Sequence, residues 1–545
     1  MRAMEKTWLR LLMVLSGSAL TVLLMVTESK LSFAVTGALA LALTAVLVFR
    51  KNLLEKLFAP RPWYLWLLAA LLCLCQLYTA KSTFYSCCYG WMDKLFTLLH
   101  LPMKPQLLRL APWAVALLAL PMALGYFGWF VDLMVSLGRR LFRTSDFTER
   151  LFLLGAWIIF TMMLTFTYLC TQAFYGAHIN GGWFNFDLIY SADSGYLVHQ
   201  DVYRNIAAEQ NDLRQPLFGL FAAPFCQAAW LISKVLFFLP NSYVTVSQSI
   251  QIFLFLVALV LLSRMMELKG PEKALFLVLL SVCYPTLIFA LTAEQYLFAV
   301  FWLVLLIYLQ REPVPQSTAF IAATGALLTS GVLFPLVTWD RDFKIFVKKT
   351  MLLCGTFFGV MILSGRLTTF LDIPSYIAGY GYYTGMDVPL TQKLMQYVNF
   401  AGACLLAPKS GVDITTYNHI SWQMLPVTSW SPVGIVVILL TLAGIAATRQ
   451  KRLTKISAAW LGFSFLLLGL VGWGTIDNGL MLYSLYFGWA FVSMIFGLLD
   501  RVLERARPAK LAVLGGLILA AGIYNVLALK EVLVFSTQFF PAMGG

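Results

Sequence analysis

Charge is what this chain has least of. Asp, Glu, Lys and Arg make up 12% of its 545 residues, against roughly 25% in soluble domains. That scarcity excludes an ordinary soluble globular protein. Histidine is scarcer still: there are four, and neither they nor the nine cysteines fall at zinc-ligand spacing, so the sequence offers no metal site. Cys87 and Cys88 are adjacent and read as two small residues on an outer loop, not as a vicinal disulfide. Strand-like alternation in segments of about ten residues is missing too, which excludes a membrane β-barrel.

Apolar length is what the chain has instead. It is 60% hydrophobic, with a mean hydropathy of +0.80. Apolar runs of roughly 17–25 residues recur from end to end, each long enough to cross a bilayer core as a helix. The expected fold class is all-α, a polytopic transmembrane helical bundle, and the expected surroundings are a lipid bilayer. The first run, "WLRLLMVLSGSALTVLLMV", follows Arg2 and Lys6. It lacks a convincing small-residue cleavage site and reads as a retained helix.

The net charge of +14 would suggest nucleic acid in a soluble protein. Here the basic residues form short clusters between apolar runs, the pattern of cytoplasmic loops, so nucleic acid is not an expected partner. Four spans are expected near 8–26, 31–49, 63–80 and 110–137. Arg50, Lys51, Lys56 and Arg61 follow the second, and Arg139, Arg140, Arg143 and Arg150 follow the fourth. Both clusters point to a cytoplasmic N-terminus. A fifth span, "LFLLGAWIIFTMMLTFTYLC", then leads outward.

The run Pro216 to Pro240 is expected to lie along the outer interface. A crossing there would put Arg264, Lys269 and Lys273 on the wrong side. Further spans are expected near 274–291 and 295–310, then a broken hairpin hinged near Gly325 to Gly331, a span near 350–368, a long outer segment at about 369–430, and spans near 431–447, 457–475, 479–498 and 511–528. The chain divides into an N-terminal four-helix extension (1–149), a central transmembrane module (150–370), and an outer loop with C-terminal helices (371–545).

One short connection holds most of the interest. "NFDLIYSADSGYLVHQDVYRNIAAEQNDLRQPLF" carries Asp187, Asp193, Asp201, Glu209 and Asp212 with Arg204 and Arg214. Outer loops are often polar, which accounts for any one of these acids. The stretch as a whole is different: it interleaves acids and bases with Tyr190, Tyr196 and Tyr203, and it opens directly into an apolar helix through "RQPLF". Glu294, within "PTLIFALTAEQYLF", sits at the outer end of a later span. A carboxylate at a membrane boundary is costly unless it is paired or functional.

The order of these parts resembles the GT-C superfamily of integral-membrane glycosyltransferases, which includes protein O-mannosyltransferases and lipid A aminoarabinose transferases. The likeness covers about residues 150–370: an ascending helix, an outer loop with aspartates, an "RQPL" step, a descending helix ending in arginine, a helix with "TAE" at its outer end, and a broken hairpin. The family's commoner step is "HPPL", so the histidine is missing here, and its paired acids are not adjacent. The resemblance implies inverting transfer of a sugar from a polyprenyl-phosphate donor to an exoplasmic acceptor, which could be a glycan, a lipid or a protein. The setting it implies is the plasma membrane, with the active site exoplasmic, in cell-envelope glycan or glycolipid assembly.

On that resemblance an aspartate serves as base for the acceptor hydroxyl. Asp193, in the small-residue turn "SADSG", is preferred, with Asp187 second and Asp201 third. Glu294 helps to arrange the site. Arg204, Arg214 and Arg366 are candidates for the leaving phosphate. Tyr376 and Tyr382, in "YIAGYGYYTG", are candidates for the headgroup or acceptor loop. Trp422 and Trp430 read as interface anchors. The resemblance leaves room for a divalent metal, but no cofactor is read from these residues. The rival reading is a transporter or flippase of lipid-linked sugars. It would show internal repeats and mid-membrane charge, of which Asp132, inside the fourth span, is the one instance.

Overall fold

The computed structural model describes residues 2–25, 30–50, 53–100, 105–179, 182–184, 188–194, 198, 214–309, 316–367, 379, 381–414, 419–474 and 480–542. Its helices are α1 (Arg2–Leu24), α2 (Lys30–Arg50), α3 (Leu53–Leu57), α4 (Trp63–Thr79), α5 (Lys81–Leu98), α6 (Pro105–Arg143), α7 (Phe147–Cys170), α8 (Phe218–Val235), α9 (Ser242–Met265) and α10 (Gly270–Val282). Then come α11 (Tyr284–Leu291), α12 (Tyr296–Tyr308), α13 (Gln316–Ala326), α14 (Phe334–Thr338), α15 (Phe343–Leu363), α16 (Leu390–Ala403), α17 (Pro432–Thr448), α18 (Arg452–Ser464), α19 (Met481–Val502) and α20 (Arg507–Phe539). Two small antiparallel pairs accompany the helices: β1 (Ala177–Ile179) with β2 (Gly182–Phe184), and β3 (Ser410–Asp413) with β4 (Ser421–Met424).

Among the described residues nine helices are long and apolar enough to cross a membrane, or up to eleven if two bent pairs each count as one. The protein is therefore an all-α, multi-pass membrane protein by construction. Apolar side chains fill the interior and also face outward, as bilayer-facing helices require: Leu151, Ile159 and Leu169 on α7, and Leu519, Ile523 and Leu527 on α20, are all exposed.

Charged contacts gather one set of helix ends. Asp146 caps α7 by accepting from the Glu149 N–H at 2.9 Å, the usual remedy for an orphan donor at a helix start. Arg264, at the end of α9, grips the buried Glu149 carboxylate through Nε and Nη2. Lys273, at the start of α10, donates to both Asp146 and Glu149. Burial pushes the Asp146 carboxyl upward, but the Lys273 ammonium and the Glu149 N–H outweigh it and hold the group below the usual carboxylate range. Arg507 and Lys510, opening α20, reach Glu272. These ends form a basic face. The opposite ends gather the other way: Tyr168 donates to the Leu291 carbonyl, and the Gln172 N–H donates to the Phe540 carbonyl. This second set of ends is the site face.

The two faces locate α8. Its 18 residues suffice for a span. However, it follows Arg214 on the site face and precedes Asn241, which contacts Tyr175 there. Its Gln227 amide donates to Thr79 and Gln76 at the site-face end of α4. Both ends of α8 thus belong to one face. The 316–338 segment also returns on itself. Its start meets its end where Gln316 donates to the Val337 carbonyl at 3.4 Å, and the chain between them breaks from α13 into a 3₁₀ turn over Leu328–Leu333.

Two expectations need correction. The Cys87–Cys88 region is not a plain outer loop: Lys81–Leu98 is the helix α5, and α4 and α5 meet at a 68° bend. Cys88 is not a surface residue. It is a fully buried thiol packed among Ala19, Leu23, Phe84 and Ala116. The segment 369–430, expected to lie outside, carries α16, an amphipathic helix that buries Tyr397 and Phe400. The largest hydrophobic cluster runs from Phe130 to Phe540 across the boundary drawn at 370, so the central and C-terminal modules share one core. The N-terminal helices keep smaller clusters of their own.

Candidate functional site

A polar cavity of about 210 Å³ opens on the site face. Six separate stretches meet in it: Ser191 and Asp193; Arg214 and Gln215; Gln295 and Tyr296; Leu327; Tyr383; and Trp473, Gly474, Tyr483 and Tyr486.

Asp193 is placed by a strained turn. Tyr190 and Ser191 both take left-handed backbone, with φ of 51° and 60°, a conformation costly for residues with a Cβ. The surroundings enforce it. The Tyr190 N–H donates to the Trp422 carbonyl and the Trp422 N–H to the Leu188 carbonyl, both at 2.8 Å. The Tyr190 hydroxyl lies 2.7 Å from that of Tyr284 and donates to Ser410 Oγ at 2.9 Å. Ser191 donates to the Gln423 side chain at 3.2 Å. Trp422 is therefore a buried brace behind the turn, where an interface anchor was expected. Asp193 emerges half-buried at the cavity wall.

Glu294 sits behind that wall, 1% exposed, in the break between α11 and α12. The break is held open by Gln248, whose amide donates to the carbonyls of Phe289, Ala290 and Thr292, and by the Ala293 N–H, which donates to the Phe174 carbonyl at 2.8 Å. Carbonyls freed by the missing helical turn thus find donors, as buried backbone groups require. The Gln295 N–H donates to Glu294 Oε2 at 3.3 Å, and the Asp193 backbone N–H also faces this carboxyl. Burial, and then the nearby Asp193 charge, push Glu294 well above the usual carboxylate range. Its Oε1 is buried without a hydrogen-bond partner among the described residues.

Arg214 enters from the other side. Its carbonyl accepts from the Leu328 N–H at 2.8 Å, and the Leu217 N–H donates to the Gly325 carbonyl at 3.0 Å. The tip of the 316–338 hairpin thereby anchors the start of α8. Gly325 is needed there, because a Cβ would fall 2.5 Å from Leu217 Cβ.

The far wall is aromatic. After the π-helical turn Phe465–Val471, Gly472 and Gly474 take φ of 83° and 75° and turn Trp473 toward the cavity. Trp473 Nε1 donates to the Tyr483 hydroxyl at 2.7 Å. Its ring lies 6.0 Å from that of Tyr383, and the Gly474 N–H donates to the Tyr383 carbonyl. The Tyr296 and Tyr486 rings meet edge to face at 5.2 Å. Sequence reasoning passed over Trp473, Tyr483 and Tyr486. The one local signal for them was the Gly-Trp-Gly step at the end of an apolar run.

Of the residues chosen from sequence, Asp193 and Arg214 line the cavity and Glu294 lies directly behind it. Arg366 does not line it. It follows α15, 6% exposed, next to Gly365, which presses on the Met25 backbone at the end of α1; a basic residue beside a span end need not face the same cavity as its neighbours in sequence. Asp187, Asp201, Arg204 and Tyr376 lie outside the described residues, as does the side chain of Tyr382. No cluster of three or more His, Cys, Asp or Glu residues able to hold a metal occurs among the described residues. No protein-family model, curated protein or solved structure matches this chain.

Proposed function

We propose that this protein is a GT-C-type membrane glycosyltransferase. It moves a sugar from a polyprenyl-phosphate donor to an acceptor hydroxyl on the site face. The observation that carries this reading is the joint opening of Asp193 and Arg214 onto one polar, aromatic-walled cavity. A carboxylate and a guanidinium facing the same space are what a displacement at a phosphate-linked sugar carbon requires. Asp193 takes the proton from the acceptor hydroxyl as its oxygen bonds to the anomeric carbon. The bond from that carbon to the phosphate oxygen breaks, and Arg214 receives the charge left on the phosphate. A single displacement of this kind inverts the anomeric centre. Trp473, Tyr383 and Tyr483 give the sugar an apolar platform with polar edges. Glu294, its carboxyl pushed well above the usual carboxylate range by burial, keeps a hydrogen-bonding oxygen against the Asp193 backbone.

The basic face is cytoplasmic on the positive-inside rule, since Arg143, Arg264, Lys273, Arg507 and Lys510 gather there. The site face is then exoplasmic, and the plasma membrane of a cell that builds an envelope is the natural setting. A transporter would call on Asp132 as a mid-membrane charge, but that carboxylate is paired with Arg61 at 3.3 Å. Arg61 also donates to the Leu57 and Lys56 carbonyls, a structural commitment.

The deciding experiment follows sugar transfer and lipid translocation together in proteoliposomes. Asp193→Asn should lower transfer by about 10²–10⁴-fold, the usual worth of a general base, at unchanged thermal stability. Full transfer in that variant, or loss of translocation with no transfer in the wild type, overturns the reading.

A further inference from the structure

A second cavity, larger than the first at about 330 Å³, lies among α1, α4, α6, α8 and the end of α15. Its wall is almost wholly apolar: Leu20, Leu24, Ala119, Ala123, Phe221 and Leu363 are representative. Most of the polar groups on it are turned to partners of their own, while Thr44 Oγ1 is buried without one among the described residues. Thr21 donates to the Gly17 and Leu363 carbonyls, Tyr126 to the Leu220 carbonyl, and Gln76 accepts from Gln227. The space therefore asks for little hydrogen bonding. Its size falls in the range of about 300–1,000 Å³ typical of ligand sites. Left unfilled, it would forfeit the contacts that a packed interior supplies.

Its position is informative. Leu24 and Leu363 mark its site-face end, and Lys56 and Leu57 mark its end toward the basic face, so it runs along the direction of the helices. One short stretch of chain touches both cavities: Arg214 and Gln215 line the polar one, and Leu220 and Phe221 line the apolar one. The first turn of α8 is a shared partition. A molecule with a phosphate head at Arg214 and a long hydrocarbon chain would find its two halves served on either side of it.

We infer that this cavity binds the polyisoprenoid chain of the substrate, and that the N-terminal helices are present to complete it. The inference rests on the proposed transfer reaction for the identity of the head. The chain itself is recognised by shape. Between lipid and protein there is no hydrophobic gain to draw on, so affinity comes from packing and from filling the void.

The test uses the full chain in nanodiscs and a polyprenyl phosphate with a photoreactive group midway along its chain. Labelled peptides are mapped in wild type, Ala119→Leu, Ala123→Phe and Asp193→Asn. Label is expected on α1, α6 or the end of α15 in wild type and Asp193→Asn, and is expected to drop at least about tenfold in the two filled variants, a difference of about 1.4 kcal/mol. Filling a void should leave the melting temperature unchanged or higher; if Ala123→Phe fails to fold, Ala119→Leu carries the comparison. Transfer measured with a short, water-soluble isoprenyl phosphate donor should be unaffected by filling, while transfer with the long donor should fall. Label elsewhere, label insensitive to filling, or equal label from a photoreactive phospholipid that polyprenyl phosphate cannot displace overturns the assignment. Label at this cavity in a protein that shows no sugar transfer keeps the chain site and sinks the transferase reading alone.

Discussion

The Leu328 N–H donates to the Arg214 carbonyl at 2.8 Å, which ties the tip of a returning hairpin to the residue that guards the polar cavity. Arg214 is exposed as a side chain, so its precision comes from its backbone. Hairpin and α8 form one mechanical unit, and the root of the guanidinium is fixed by backbone hydrogen bonds at the cavity wall.

That unit predicts how Arg214 variants behave. Arg214→Ala should raise the KM for a polyprenyl-phosphate donor by about 10–100-fold, as expected for a charge-assisted hydrogen bond of roughly 1.5–3 kcal/mol. Arg214→Lys should recover only part of this, because the planar fork is lost. Donor titrations of both variants check it, and identical donor dependence in both would remove Arg214 from the site.

Gly325 predicts a purely steric effect. In Gly325→Ala the new methyl meets Leu217 Cβ at 2.5 Å, so the hairpin tip or α8 must shift. Overpacking of this kind costs about 1–3 kcal/mol. The melting temperature should fall, and transfer should fall with it as Arg214 moves. A variant as stable and active as wild type would mean that the hairpin does not position α8.

Glu294 predicts a pH dependence of stability. Its carboxyl is raised well above the usual range in the folded protein, by burial first and by Asp193 second. The folded state therefore holds a proton that the unfolded state releases near pH 4.3, the ordinary glutamate value. The contribution is complete below that pH and is lost as pH rises through the folded value. Wild type should lose stability toward alkaline pH, whereas Glu294→Gln, which mimics the neutral acid, should melt at nearly constant temperature over the same range. Parallel curves for the two proteins would show that Glu294 is not the titrating group. Transfer in Glu294→Gln should be reduced less than in Asp193→Asn.

Much of the architecture is legible in the sequence because membrane insertion is governed by local quantities. Apolar run length located most long helices, and the basic clusters grouped Arg264, Lys273 and Arg507 at one set of helix ends. Helix α5 escaped this reading. "KSTFYSCCYGWMDKLFTL" is rich in Ser, Thr, Cys and Gly, which are indifferent or poor helix formers, and it folds against Ala19 and Ala116, a tertiary circumstance no window reveals. The site divides the same way. Asp193, Arg214 and Glu294 were visible because charge is rare and costly here. Trp473, Tyr483 and Tyr486 were not, since aromatics near span ends look alike whether they anchor a membrane or line a cavity. Trp422 was misjudged for the same reason.

Orientation yields the last prediction. Single cysteines placed at 193 and 410 in a cysteine-free background should react with an impermeant reagent added outside the cell. Those at 143 and 451 should react only after the cytoplasm is opened. Labelling of 410 from the cytoplasm alone would invert the assignment of faces, and the donor would then have to be presented from within.

The cavity's assembly from distant stretches has a temporal side. Glu294 leaves the ribosome roughly 180 residues ahead of Trp473, which at about 5–20 residues per second is on the order of 10–40 s of synthesis. For that interval the glutamate's helix pair waits in the bilayer without α19 or the aromatic wall. A proton is the cheapest company available to it. The protonated form that burial favours in the finished fold is then the same form that lets the half-made protein wait.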